Sequence, residues 1–525
     1  MENFKDMFST IEERVEPQSA QLTGELPAWL RGNLIRVGPG KFDFGDFTLN
    51  HWLDGMAILH KFHIDNGQVT FRSKYLRSDS YKKACIAQRP VFTEFGTHCF
   101  PDPCKNIFSR MFSQFEMTDN ASSSVVLMED QVFVSSETCY IRRVDPATLD
   151  TKEKVDLNKL MSVNFASSHP ITDSTGTTYN LGCSFLSGPK YHIVRVPPSN
   201  NSHNLTGSDP WLNAKTLSTI SSSWKACYGY YHSFAMSENY VVFLEQPLLV
   251  STLKLATAQL KSRSLNDCFE WHPQEKVKFI VIRKSTGEVV KTRYVSEEAF
   301  FVFHHVNAYE IDDKLVVDVV AYPRPSIIEK LYLNKVRMNQ YSSEDPPQLK
   351  RFVLPLISDR DLQNAHDGEE LASLPNCSAS AVKARGGQSG VYVSLTGAGI
   401  GEPGFDMPVV NKKYTGQQYR YVYGTGGYDQ GYFKNAICKM DVETGQSLVW
   451  RGTEHQYIAE PTFVPSPDAI DEDDGVLLLS VADVRKGAPD FLLVVDAKTM
   501  EEICRATIDA PLPCSIHGVF LPDRY

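Results

Sequence analysis

One unit recurs along this chain: a short apolar or alternating run, a turn of the Asp-x-x-Gly type, and a second run. It occurs at His60–Leu76, Tyr140–Leu157, Lys278–Val295, Ala436–Gly452 and Phe491–Ile508. Each reads as a β-hairpin with turn residues at its tip. Spread over the whole length, such hairpins constrain the fold to a radial all-β repeat, and the expected architecture is a β-propeller. No composition break divides the chain, so one domain over residues 1–525 is expected.

The composition supplies such a core. Of 525 residues, 42 % are hydrophobic and 22 % charged. The formal net charge of −10 argues against nucleic acid as a partner, because phosphate binding needs a basic face. The opening residues, MENFKDMFSTIEERVEP, are acidic and lack an apolar stretch, so neither a secretory signal nor a transit peptide is expected. No uninterrupted apolar run approaches the roughly 18 residues of a spanning helix. Eleven scattered cysteines without a CxxC pair read as reduced thiols of a cytosolic protein.

Two segments depart from the strand pattern. Pro101–Phe115 and Pro247–Lys261 carry apolar residues at spacings of three and four, as amphipathic helices do. With basic residues beside them, both are candidates to lie on a membrane surface. Pro197–Pro210 and Asn339–Pro347 are polar and expected to be loops.

Among fourteen histidines, four share a strand-like setting of small or apolar neighbours: His169 in NFASSHP, His232 in GYYHSFA, His304 in FFVFHHVNAYE and His517 in CSIHGVF. Their separations fit no local zinc motif, so a shared metal site must be assembled by the fold. Inner propeller strands converge on an axis, which makes that assembly natural. Strand alternation puts His304 on one face with Phe300, Val302 and Val306, and His305 on the other with Phe301 and Phe303. Three carboxylates lie in matching apolar settings: Glu137, Asp406 and Glu460. Buried carboxylates need partners, and ligating imidazoles commonly pass their second nitrogen to one. Core histidines in ordinary salt bridges remain an alternative reading of the same pattern.

The segments SSHP at Ser167, YYHSF at Tyr230, FHHVNAYE at Phe303 and IHGVF at Ile516 resemble the four iron-ligand motifs of the carotenoid cleavage oxygenases. LIRVGPGKF, NHWLDGMAILHKF, FTEFGTHCFPDPCKNIFSR and DEDDGVLLLSV extend the resemblance over nearly the whole chain. It implies a seven-bladed propeller with Fe(II) on the axis, capped by helices and loops that form an apolar tunnel. His169, His232, His304 and His517 would be the ligands, with Glu137 behind His232, Asp406 behind His304 and Glu460 behind His517. The family pattern at the second carboxylate is Glu-apolar-Pro, and this chain has Asp406-Met407-Pro408. The shorter side chain puts direct contact with His304 in doubt and suggests an inward backbone shift or a bridging water.

Within the family's animal branch, FLEQP at Phe243, QYRYVYGTG at Gln418, Ser136 and Tyr322 look closest to the central-cleaving type. That implies oxidative cleavage of the central 15,15′ double bond of β-carotene by Fe(II) and O₂, giving two molecules of retinal. Eccentric 9′,10′ cleavage, retinoid isomerohydrolysis and inactive carotenoid binding stay open. Ser136, Tyr230 and Tyr322 are the expected tunnel residues. The protein is expected in the cytosol, docked peripherally on membrane through Pro101–Phe115 and Pro247–Lys261. Cys104 is a candidate for acylation.

Overall fold

The computed structural model describes residues 4–100, 117–185, 187–198, 210–258, 261–338, 344–386, 390–425 and 435–523. Seven principal antiparallel sheets follow one another as propeller blades. Blade 1 holds Gln18–Ser19, Gln68–Tyr75, Met56–Asp65, Gly32–Lys41 and, from the far end of the sequence, His517–Pro522. Blade 2 runs from Ser124–Met128 to Thr151–Asp156, and blade 3 from Phe165–Ala166 to Lys215–Ser221. Blade 4 begins at Ala235–Met236 and is widened by Gly390–Thr396, which pairs in parallel with Tyr294–Ser296. Blade 5 begins at Phe301–Ile311 and blade 6 at Asp406–Val410. Blade 7 centres on Gly475–Asp483 and Asp490–Asp496, and takes Gln21–Gly24 as its outer strand.

The ring is closed twice over: a late strand completes blade 1 and an early strand completes blade 7. Apolar side chains fill the seams. Leu34, Phe62 and Phe71 of blade 1 pack with Leu478, Leu492 and Val494 of blade 7. On the other side, Ile35, Val37 and Leu59 meet Val125, Val132 and Val134 of blade 2.

Four of the five recurrent units fold as hairpins of two full strands. At Lys278–Val295 only the first run is a long strand. The return shrinks to Tyr294–Ser296 plus a bridge between Ile282 and Val289.

Pro247–Lys261 corrects the expected helix. Leu248–Ser251 is a strand, paired to Cys227–Gly229 and Phe269–Trp271, and among the described residues of the segment the helix spans Thr252–Ala256. Ser251 ends the strand and caps the helix, its hydroxyl accepting from Lys254 N at 3.3 Å. The apolar residues counted towards one helical face instead serve a buried strand and then a single turn. Pro101–Phe115, Cys104, residues 199–209 of the first expected loop and residues 339–343 of the second lie outside the described residues. Among the described residues, no helix is long and apolar enough to cross a membrane.

A buried ion pair within blade 5 is tied to blade 6 by Tyr419, which lies between the first two strands of that blade. Asp318 accepts from Arg351 Nε and Nη2 at 2.9 and 2.7 Å and from the Tyr419 hydroxyl at 2.7 Å, with no exposed surface of its own. Replacing one partner strands a buried charge, so Asp318→Ala should lower the unfolding free energy by about 3–5 kcal/mol in urea denaturation.

Candidate metal centre

The four histidines and three carboxylates come one from each blade. His169 follows the short inner strand of blade 3, and His232 immediately precedes that of blade 4. His304 sits in the first strand of blade 5, and His517 opens the closing strand of blade 1. Glu137 follows Gln131–Ser135 of blade 2, Asp406 opens blade 6 and Glu460 lies between two short strands of blade 7. Radial convergence brings these distant positions together.

One nitrogen from each of the four histidines lies within 4.8 Å of every other. Ring centroids are 4.4 Å apart for His169 and His517, 4.5 Å for His169 and His232, and 5.0 Å for His232 and His304. Three rings are held from behind. His304 Nδ1 lies 2.8 Å from Asp406 Oδ1, and His517 Nδ1 lies 2.7 Å from Glu460 Oε1. His232 Nδ1 meets Glu137 Oε1. Among the described residues, no carboxylate bonds His169. Its backbone N–H donates to Ser167 Oγ, whose hydroxyl donates to the His232 carbonyl.

An imidazole that donates from Nδ1 presents a lone pair at Nε2. The Nε2 atoms of His304 and His517 are buried without a hydrogen-bond partner, which is costly unless a Lewis acid accepts them. His169 Nε2 and His232 Nε2 face each other at 2.9 Å. Two lone pairs at that distance repel unless a proton or a cation lies between them. Burial, then the neighbouring imidazoles, hold both rings far below the usual histidine pKa, so both favour the neutral, ligating form. This donor set fits a divalent transition metal that accepts imidazole.

The carboxylates differ among themselves. Burial pushes Glu137 up to about 8, against the pull of the Tyr230 hydroxyl it accepts from at 2.7 Å. A dication among the imidazoles would favour its ionised form. Burial also raises Asp406, but the electrostatic pull and hydrogen bond of His304, with Tyr322 and Met407 N, outweigh it and leave Asp406 below the usual carboxylate range.

The expected gap at Asp406 is therefore absent: the contact with His304 is direct. The strand register slips between Asp406 and Val409, and Met407 takes a left-handed φ of 54°. That bulge carries the short side chain inward, one of the two ways anticipated for bridging the missing methylene.

Strand alternation around His304 fails for a related reason. The pairing of Phe301–Ile311 with Lys314–Tyr322 slips on both sides of His305. Phe300 and Val302 pack into the seam between blades 4 and 5, while Phe303 and His304 both border the central cleft. His305 turns away, Nδ1 lying 2.9 Å from Ser233 Oγ, as its expected orientation requires.

The cleft encloses about 1200 Å³, including its open mouth. Phe165, Tyr228, Tyr231, Phe269, Phe303 and Leu255 give it an apolar wall, with His232, His304 and His517 at its base. Ser136 and Tyr230 line it. Tyr322 does not border it; its ring packs behind Phe303, edge-on at 6.2 Å, and its hydroxyl donates to Asp406 Oδ2.

Sequence reasoning assigns no role to Arg36, in LIRVGPGKF. Its guanidinium is fully buried and donates to Ser515 Oγ at 2.9 Å, to the Glu460 carbonyl at 2.7 Å and to the Ile516 carbonyl at 3.2 Å. It therefore ties His517's strand to the loop that carries Glu460. A charged side chain inside an apolar strand was the available signal.

The family model described as Retinal pigment epithelial membrane protein matches residues 7–522. Human "Beta,beta-carotene 15,15'-dioxygenase" is 40 % identical over 97 % of this chain and 93 % of its own. The "Carotenoid-cleaving dioxygenase, mitochondrial" of Mustela putorius furo is 38 % identical over 98 % of this chain and 96 % of its own. A Synechocystis apocarotenoid oxygenase structure superposes with a TM-score of 0.77 at 21 % identity, covering 98 % of both chains. Its cobalt-substituted form gives 0.76 at 21 % identity, covering 99 % of both. The chain belongs to the carotenoid oxygenase family, as a carotenoid cleavage dioxygenase.

Proposed function

We propose that His169, His232, His304 and His517 hold Fe(II) and that the protein cleaves β-carotene at its central 15,15′ double bond, giving two molecules of retinal. The observation that carries this reading is the set of converging imidazole nitrogens at the base of an apolar cleft. The central position is supported by FLEQP, QYRYVYGTG, Ser136 and Tyr322, and by relatives named as central-cleaving enzymes at 40 % identity.

Iron held by these four imidazoles would supply binding and activation of O₂. The protein supplies the rest. Glu137, Asp406 and Glu460 fix the tautomer of three imidazoles, keeping their lone pairs on the centre. The apolar wall excludes water and binds a polyene that offers no hydrogen bonds, so cleft shape must set which double bond reaches the base. The ring faces of Tyr230 and Phe303 stabilise positive charge that develops along the chain during cleavage. Ser136 shapes the wall beside Glu137. One double bond and one O₂ give two aldehyde groups, so both oxygen atoms are used.

The chain is taken as one domain over residues 1–525, since both closing strands join its early and late segments. We place it in the cytosol with the cleft mouth against a bilayer, where its substrate dissolves. Leu253, 68 % exposed on the single-turn helix beside the cleft residue Leu255, supports that orientation.

Iron-loaded protein given β-carotene and O₂ should yield only the C20 aldehyde by chromatography, with one O₂ consumed per carotenoid. Chelation should stop turnover and added Fe(II) restore it. Apocarotenals of unequal length would assign eccentric cleavage. Hydrolysis of a retinyl ester without O₂ uptake would assign an isomerohydrolase, and binding without turnover a carotenoid carrier.

A further inference from the structure

Glu94 is a buried carboxyl of the cleft wall that holds none of the imidazoles. It is 3 % exposed and borders the cleft beside Phe95 and Leu265. Its Oε1 lies 2.8 Å from the hydroxyl of Thr118, which also lines the cleft. Among the described residues, its Oε2 has no hydrogen-bond partner.

The protons behind Glu94 can be counted. Burial would raise Asp119, but Arg142 and the N–H groups of Asp79 and Ser80 outweigh it and hold that carboxyl below the usual range. Ser80 therefore gives its one hydroxyl proton to this carboxylate, at 2.8 Å. The 2.9 Å contact between Ser80 and Thr118 is then donated by Thr118. With that proton spent, the contact between Thr118 and Glu94 needs a proton on Glu94 Oε1. Burial, then the charges of Asp54 and Asp119, push Glu94 well above the usual carboxylate range, so that proton is present. Oε2 is left as the carbonyl oxygen of a neutral acid, an acceptor without a donor in an apolar cleft.

We propose that Glu94 is a specificity-determining residue of the cleft, whose free oxygen accepts a hydrogen bond from a hydroxyl on a polyene ligand and discriminates against a ketone there. The inference deepens the carotenoid reading above and rests on it. A hydroxyl and a ketone on the same skeleton differ little in shape, and both give up water on entering the cleft. Only the hydroxyl can donate. A ketone would bring a second acceptor against Oε2 and leave both unpaired.

The test uses full-length iron-loaded protein without O₂, so that ligands bind and are not cleaved. Quenching of protein fluorescence gives Kd for β-carotene and for two derivatives, one with a ring hydroxyl and one with a ketone at the same carbon. The hydroxyl derivative should bind roughly tenfold more tightly than the ketone. Glu94→Gln should keep that ratio, because an amide N–H can replace the carboxyl proton towards Thr118 while the amide oxygen faces the cleft. Glu94→Leu should bring the ratio to about one, since it offers no acceptor. Circular dichroism checks the fold of each variant, and Glu94→Met, with the same expected loss, stands in if Glu94→Leu does not fold.

A ratio near one in the unaltered protein would overturn the proposal, as would a full ratio in Glu94→Leu or Glu94→Met. Loss of the ratio in folded Glu94→Gln would also overturn it, because the free oxygen would then be a donor. If none of the three carotenoids binds the unaltered protein, the carotenoid reading itself fails instead.

Discussion

His304→Ala should abolish cleavage while leaving the propeller folded. The four imidazoles are the whole donor set, and among the described residues no other protein donor joins the cluster. A bound metal contributes several kcal/mol to a transition state, and each 1.4 kcal/mol is tenfold in rate, so turnover should fall by at least ~10³-fold. Bound iron, measured by plasma emission spectrometry, should drop well below one per chain. The far-ultraviolet circular dichroism should be retained, because Phe301–Ile311 is held by its neighbours Lys314–Tyr322 whatever stands at residue 304. Full metal content in the variant would remove His304 from the ligand set.

Arg36→Ala should act in the opposite order, on the fold first and the metal second. It leaves the carbonyls of Glu460 and Ile516 without their buried donor, at about 1–3 kcal/mol each. It also opens a cavity where a long side chain had been, so a total loss of about 3–5 kcal/mol is expected in urea denaturation. Because those carbonyls flank Glu460 and His517, metal affinity should fall as well. Arg36→Lys should recover little of either, since an ammonium cannot reproduce a fork that reaches a hydroxyl and two carbonyls. An unchanged urea midpoint would show that water replaces the guanidinium.

Much of this is readable in the sequence because most of each blade is built from consecutive strands. A hairpin such as His60–Leu76 declares itself by alternation and a turn, and needs no distant residue to form. The histidines were legible because imidazoles in apolar strands are unusual, and their assembly followed from radial convergence. What escaped the sequence is what depends on register. The slips on either side of His305 reassign Phe303 to the cleft and Phe300 to a blade seam, and no side-chain period announces a bulge. The same holds at Met407, where a left-handed residue rather than a longer side chain closes the distance to His304. The strand Leu248–Ser251 was mistaken for helix because a short apolar run followed by a turn mimics the helical spacing. Tyr322 was assigned to the tunnel on its aromatic ring, whereas its hydroxyl determined where it packs.

The strand His517–Pro522 has a consequence for how the protein is made. On the ribosome the other three histidines emerge long before it, and blades 2 to 6 can form as their hairpins appear. Blade 1 meanwhile waits, with the edge of Gly32–Lys41 unpaired, for a partner synthesised almost five hundred residues later. When that strand docks, one of the ring's two closures is made and the fourth imidazole arrives with it. A nascent or prematurely terminated chain therefore holds at most three of the four, so partly made protein should retain iron poorly and spare the cell uncontrolled oxygen chemistry.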